Sequence, residues 1–213
     1  MMKIALIGAT GYVGANVLKE ALKHGHTVVA IARNTDKVED NDGVTKVAID
    51  IADETKLVEA LAGSDIVVSA FNAGWTNPDL YNDFIKGSET IQTAAKQAGV
   101  SRLLVVGGAG SLFIDGKQLV DSPQFPAEWK TGATAARDYL TELRKEEELD
   151  WTFLSPAIDL HPGERTGQYR IGTESPVFDD AGKCSISVED LAVAIVDEAE
   201  NKQFAKKRFT VGY

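Results

Sequence analysis

The 213-residue chain has a single cysteine, Cys184, which excludes an internal disulfide framework and any multi-cysteine metal centre. It has no long hydrophobic run. The opening Met1-Met2-Lys3-Ile4-Ala5-Leu6-Ile7 turns to glycine at Gly8 after a short apolar stretch, too brief for a signal-peptide core or a bilayer span. A cytoplasmic protein with no membrane partner is therefore expected. A basic stripe is also missing: 22 Lys and Arg stand against 32 Asp and Glu, a net charge of −10. Nucleic acids and anionic membranes need concentrated cations, so neither is expected as a partner. No His, Cys and carboxylate residues fall at metal-ligand spacing, and no metal is expected. His24 and His26 flank Gly25 in a turn and read as inert.

What is present is an ordinary globular composition, 44% hydrophobic and 25% charged. Short β-branched runs alternate with longer amphipathic stretches, which predicts an α/β fold with a doubly wound, mostly parallel sheet. Strands are expected at 3–7, 27–32, 45–50, 65–71, 102–106, 151–154 and 208–211. Helices are expected over 11–23, 54–61, 79–98 and 131–148, with another opening at Ser187. Residues 111–128 read as a long loop, of the kind that is functional or mobile. With no linker or repeat, residues 1–213 read as one domain, with about 156–186 as an irregular, substrate-side region.

The sharpest motif is Gly8-Ala9-Thr10-Gly11-Tyr12-Val13-Gly14, between the first strand and first helix. In a βαβ frame this is a phosphate-binding turn. Gly8 permits the tight bend, Gly11 lets the backbone approach a pyrophosphate, and Gly14 lets the helix pack on the sheet. The helix N-terminus adds free N–H groups and partial positive charge. The second strand ends in Ala32-Arg33-Asn34 with no acid before Asp36. A carboxylate there would suit the ribose hydroxyls of NADH, whereas a guanidinium suits a 2′-phosphate. NADPH is therefore the expected cofactor, with Asn34 as a further donor and with NADH also able to fit. Cofactor contacts are expected from Gly8, Thr10, Gly11, Tyr12, Val13, Arg33 and Asn34, and from the later strand ends Asp50-Ile51, Phe71-Asn72-Ala73, Gly107-Gly108 and Pro156-Ala157.

At the opposite end of such a site, Trp75 and Trp129 read either as a stacking wall for a flat acceptor or as the lid of a hydrophobic cluster. Ser111 reads either as a catalytic hydrogen-bonding group or as a turn residue. His161 is a proton-donor candidate by its near-neutral reference pKa, set against an ordinary loop histidine.

The GxxGxxG spacing resembles the short-chain dehydrogenase/reductase superfamily, a three-layer Rossmann fold. Together with Val105–Leu112 and Arg165-Thr166-Gly167-Gln168-Tyr169, the turn is similar to the atypical branch of NADH-flavin reductases, NmrA-like proteins and biliverdin reductase B-like proteins. The resemblance spans essentially the whole chain. It implies a reductase for a small acceptor such as a flavin or quinone, working as a monomer or homodimer. The superfamily's usual tyrosine with a lysine four residues on is absent: Tyr81 leads to Ile85, Tyr139 to Leu143 and Tyr169 to Thr173. A serine at the position of Ser111 is shared with the biliverdin reductase B-like proteins, but Trp129 and Ile158 lie near where those proteins carry histidines. Trp75, Ser111, Trp129 and Ile158 are then the expected acceptor pocket. The alternatives are a non-catalytic, NmrA-like dinucleotide sensor and a sugar-nucleotide epimerase or dehydratase.

Overall fold

The computed structural model describes residues 1–213. Its first half follows the sequence closely. Strand β1 (Lys3–Ile7) leads through the glycine turn into α1 (Tyr12–Lys23), and β2 (Thr27–Ala32) and β3 (Val44–Ala48) follow. Helix α2 (Glu54–Leu61), β4 (Ile66–Ser69), α3 (Leu80–Gln97) and β5 (Arg102–Val106) complete this half.

Strand β1 shows why the layers form. Ile4 and Leu6 point to one face, where they pack with Val17, Leu18 and Ala21 of α1; Ala5 and Ile7 point to the other, toward Leu57 of α2 and Phe84 of α3. Both faces of the strand are buried from Ile4 to Ile7, so that stretch is apolar throughout. Each such buried aliphatic side chain contributes about 1.5–3 kcal/mol.

The segment expected as a long loop, 111–128, is built instead. A single-turn 3₁₀ helix at Ala109–Ser111 leads into it, and it contains a hairpin of β6 (Phe113–Ile114) with β7 (Lys117–Gln118) and a second 3₁₀ turn at Leu119–Asp121. Asp115 and Gly116 take φ of 50° and 76°, the paired left-handed conformations of a tight hairpin turn. Helix α4 spans Ala127–Leu143 rather than 131–148. Pro126 sets its start. It stops early because the Glu146 carboxylate binds the N–H groups of Glu148 and Leu149, closing a turn across a stretch whose composition favours helix.

Strand β8 (Asp150–Ser155) returns to the sheet. The region 156–186 then supplies β9 (Asp159–His161), β10 (Arg170–Gly172) and β11 (Ser185–Ser187). Ser187 caps α5 (Val188–Asn201), accepting from the Asp190 N–H, and β12 (Lys207–Gly212) ends the chain. The main sheet runs β10-β12-β8-β5-β4-β1-β2-β3, parallel except for β10 against β12, while β9 and β11 form a small parallel pair beside it. This is a Rossmann α/β fold. Chain order reverses between β1 and β4, and the carboxyl ends of those strands frame the crevice where such sheets take ligands.

Candidate functional site

At that reversal lies a cleft of about 430 Å³. Its floor is the glycine turn. Gly8 holds φ of 79°, and a Cβ there would stand 2.5 Å from the Ala70 carbonyl oxygen. A Cβ on Gly14 would stand 2.1 Å from the Gly8 oxygen. Only hydrogen fits at both places. Gly11, which lines the cleft, caps α1 with no side-chain hydrogen bond, so the first helical N–H groups have no side-chain acceptor.

The cleft gathers Gly8, Thr10, Gly11, Arg33, Asp50, Ile51, Phe71, Asn72 and Ala73 from four segments of sequence. Arg33 is exposed at the end of β2. The Asp50 carboxylate accepts the Ala52 N–H at 2.9 Å and Asn72 accepts the Gly74 N–H at 2.7 Å, so each side chain shapes its own turn. Asn34, expected as a donor to the cofactor, lies outside the cleft lining and is tied to Asp36, giving and receiving hydrogen bonds at 3.0 and 2.7 Å.

One wall has no counterpart in the sequence reading. Asp83, Lys86, Gly87 and Thr90 line the cleft from α3. Their spacing of three, four and seven residues is one helical face, and that periodicity is the signal that marks them. Lys86 adds a second exposed cation to Arg33. Asp83 accepts from Asn77, another lining residue, at 2.8 Å.

The remaining expected residues lie toward the other strand ends. Tyr12 and Val13 open α1, with Tyr12 half exposed and Val13 packed on the core. Burial raises the Tyr12 phenol above its ordinary pKa, and the carboxylates of Glu189 and Asp159 raise it further. Gly107 lies against the Phe153 ring, Pro156 and Ala157 are buried after β8, and Ile158 emerges half exposed. Trp75, after β4, meets Trp129 in the first turn of α4 edge to face, with ring centroids 4.8 Å apart. Both indoles stay about half exposed, at 52% and 46%.

Ser111 ends the 3₁₀ turn Ala109–Ser111. It is 1% exposed; its hydroxyl lies 3.2 Å from the Gly108 carbonyl and 3.0 Å from the Ser155 hydroxyl. Arg208 of β12 donates to both Ser111 oxygens, and its other face pairs with Glu174. All of its hydrogen-bonding capacity is used in holding the hairpin segment to the sheet. His161 hydrogen-bonds the carbonyl of the adjacent Pro162.

His24 and His26, read as inert turn residues, are drawn together with Glu200, their potential ligand atoms lying within 4.8 Å of one another. Sequence spacing hid this cluster, because Glu200 comes from α5. The Met2 N–H donates to His26 Nδ1, so Nε2 carries the proton and donates to Glu200 at 2.8 Å. The nitrogen that faces the cluster is therefore a donor with no free lone pair for a metal.

A bare helix N-terminus over a cradle that admits no Cβ, with two free cations beside it, fits a dinucleotide diphosphate. The chain matches the model of the NAD(P)H-binding family over residues 8–202. It belongs to that family. Among solved structures, this family member is similar to a Bacteroides thetaiotaomicron protein provisionally named an epimerase, with 43% identity, a TM-score of 0.93 and coverage of 100% of this chain and 97% of that one. A Streptococcus pneumoniae protein provisionally named an NADH-flavin reductase is 37% identical, with a TM-score of 0.89 and 100% and 99% coverage. A Burkholderia pseudomallei protein provisionally named as exported is 41% identical, with a TM-score of 0.88 and complete coverage of both chains. No helix is long and apolar enough to cross a membrane.

Proposed function

We propose that this family member is a reductase that uses NADPH, and less readily NADH, to reduce a flat acceptor such as a flavin or quinone. The observation that carries the reading is the Trp75–Trp129 pair, two half-exposed indoles beyond the cofactor cleft at the carboxyl edge of the sheet. An exposed aromatic patch at a strand-end crevice is a mark of a ligand-stacking surface. The bound dinucleotide supplies a hydride from its reduced nicotinamide, reducing the acceptor by two electrons while water provides the balancing proton.

The chain's own residues bind and orient. The α1 N-terminus holds the diphosphate, Arg33 meets a 2′-phosphate, and Phe71 and Ile51 border the adenine. Proximity then does most of the work, because nothing in the chain forms a proton relay. Tyr139 is buried and bonded to Ser88 and Gln92, Tyr81 to Asp138, Tyr169 to Asp197 and Tyr213 to Ser187 and Asp190. This engagement of four of the five tyrosines, with Asn16 rather than a lysine four residues after Tyr12, weighs against epimerase or dehydratase chemistry. The need for a supply of reduced dinucleotide favours the cytoplasm.

The deciding experiment is steady-state oxidation of NADPH with riboflavin, FMN and menadione. Acceptor-dependent turnover supports the reading. Tight NADPH binding without turnover above the uncatalysed rate overturns it and leaves a dinucleotide sensor.

A further inference from the structure

Three glycines lie inside α-helices, where glycine is destabilising relative to alanine. Gly14 of α1 is accounted for by its approach to the Gly8 oxygen. The other two, Gly87 of α3 and Gly132 of α4, are buried and hold helical backbone without a positive φ, so conformation does not call for glycine at either. Space does. A Cβ on Gly87 would stand 2.5 and 2.6 Å from ring carbons Cε1 and Cζ of Phe71, and 2.7 Å from Ile51 Cδ1. A Cβ on Gly132 would stand 2.6 and 3.1 Å from Cζ3 and Cη2 of Trp75, and 3.3 Å from Leu80 Cδ2.

Both notches receive rings from one segment, the stretch that follows β4, in which Phe71 and Trp75 stand four residues apart. Phe71 and Ile51 line the cleft that would take the adenosine end of a dinucleotide. The buried Phe84, stacked on Phe71 with ring centroids 6.0 Å apart, limits that ring's retreat. A methyl at 87 would therefore push the two side chains toward the adenosine cleft. Trp75 sets the edge of its six-membered ring into the other notch and meets Trp129, three residues earlier on the same side of α4. A methyl at 132 would lift the indole off α4 and undo the edge-to-face pair.

We propose that Gly87 and Gly132 are positioning residues, each a notch that seats one ring for one ligand. Gly87 fixes Phe71 and Ile51 at the adenosine end, and Gly132 fixes Trp75 at the acceptor end. The Gly132 half rests on the acceptor-reductase reading above, whereas the Gly87 half needs only dinucleotide binding. The two seats lie on different helices and take different rings, so the two ligands should respond to different glycines.

The test titrates the full chain with NADPH and 2′,5′-ADP for the adenosine end. Riboflavin and menadione, added to protein saturated with NADP⁺ so that no turnover occurs, report the acceptor end. Gly87→Ala should weaken NADPH and 2′,5′-ADP about tenfold, and Gly132→Ala should weaken the acceptor about tenfold, each leaving the other end within about twofold. Smaller side chains provide the rescue. Gly132→Ala with Trp75→Phe should bind acceptor as Trp75→Phe alone does, and Gly87→Ala with Phe71→Leu should bind NADPH as Phe71→Leu alone does. A further loss in a double variant overturns that seat, because a helix disturbed for another reason is not relieved by a smaller ring. Alanine is the better helix former, so a Tm at or above that of the parent protein with unchanged affinities would show that the rings make way freely, and overturns the proposal. If neither riboflavin nor menadione binds the parent protein, the acceptor reading falls and the role of Gly132 with it, while the NADPH arm still decides Gly87.

Discussion

The dinucleotide cleft and the proposed acceptor end of the sheet edge are built on different plans. The adenosine end comes from a contiguous stretch, residues 7 to 90, and its decisive contacts are backbone: a glycine turn, a bare helix start and two Asx turns. The acceptor end combines side chains brought from distant segments, Trp75 with Trp129 and Ser111 with Arg208. A ligand common to many proteins can be met by a backbone cradle. A particular acceptor needs particular side chains on loops that vary.

The largest test of this contrast is Gly14→Ala. The added Cβ would sit 2.1 Å from the Gly8 oxygen, so the turn must open. NADPH affinity should fall by roughly 100-fold, measured by fluorescence titration. Affinity within threefold of the parent protein would mean that the turn is not the diphosphate seat.

Glu146→Gln is a control remote from both ends. Burial raises the Glu146 pKa, but hydrogen bonds from Gln92, Lys96 and the backbone outweigh it and hold the group at about 2, against an ordinary 4.5. The folded pKa is depressed, so the stabilisation is complete above pH 4.5 and disappears as pH falls toward 2. The variant should lose about 2 kcal/mol of stability at pH 7, and its stability should change less between pH 4.5 and 2. Urea unfolding across pH measures both; a parallel loss at every pH would exclude an ionised Glu146 as the cause.

Trp129→Ala separates the two ends directly. Acceptor KM should rise about tenfold, in line with the cost of losing one aromatic stacking surface, with NADPH affinity unchanged. An equal loss for both ligands would show the pair to be structural. Arg33→Ala is the mirror-image test: NADPH affinity should drop about fivefold to tenfold, the modest size reflecting an exposed charge, while NADH and acceptor stay put.

The same contrast explains what could be read from the sequence. Strand–turn–helix succession is local, so β1, α1, β2 and α2 fall where the residue pattern puts them, and the strand-end residues of the adenosine cleft converge as the topology requires. Asn34 lies outside the cleft lining because an amide beside Asp36 satisfies itself in its own turn. The wall from α3 was missed because a polar helical face looks like a solvated one until the cleft beside it is known. At the acceptor end the decisive partners lie far apart in sequence. Nothing near Ser111 announces a guanidinium 97 residues later, and nothing in the helix-favouring run after Leu143 announces that Glu146 will end the helix.

The Arg208 clasp also sets an order in time. Its partners Ser111 and Glu174 cannot be locked until β12 has paired with β8, whereas every residue of the adenosine cleft lies within the first 90. At about 5–20 residues per second of synthesis, the dinucleotide seat emerges several seconds before the strand that anchors the hairpin. Helix α1 of that cleft packs on α5, however, so the cleft too is completed only once the C-terminal helix is in place.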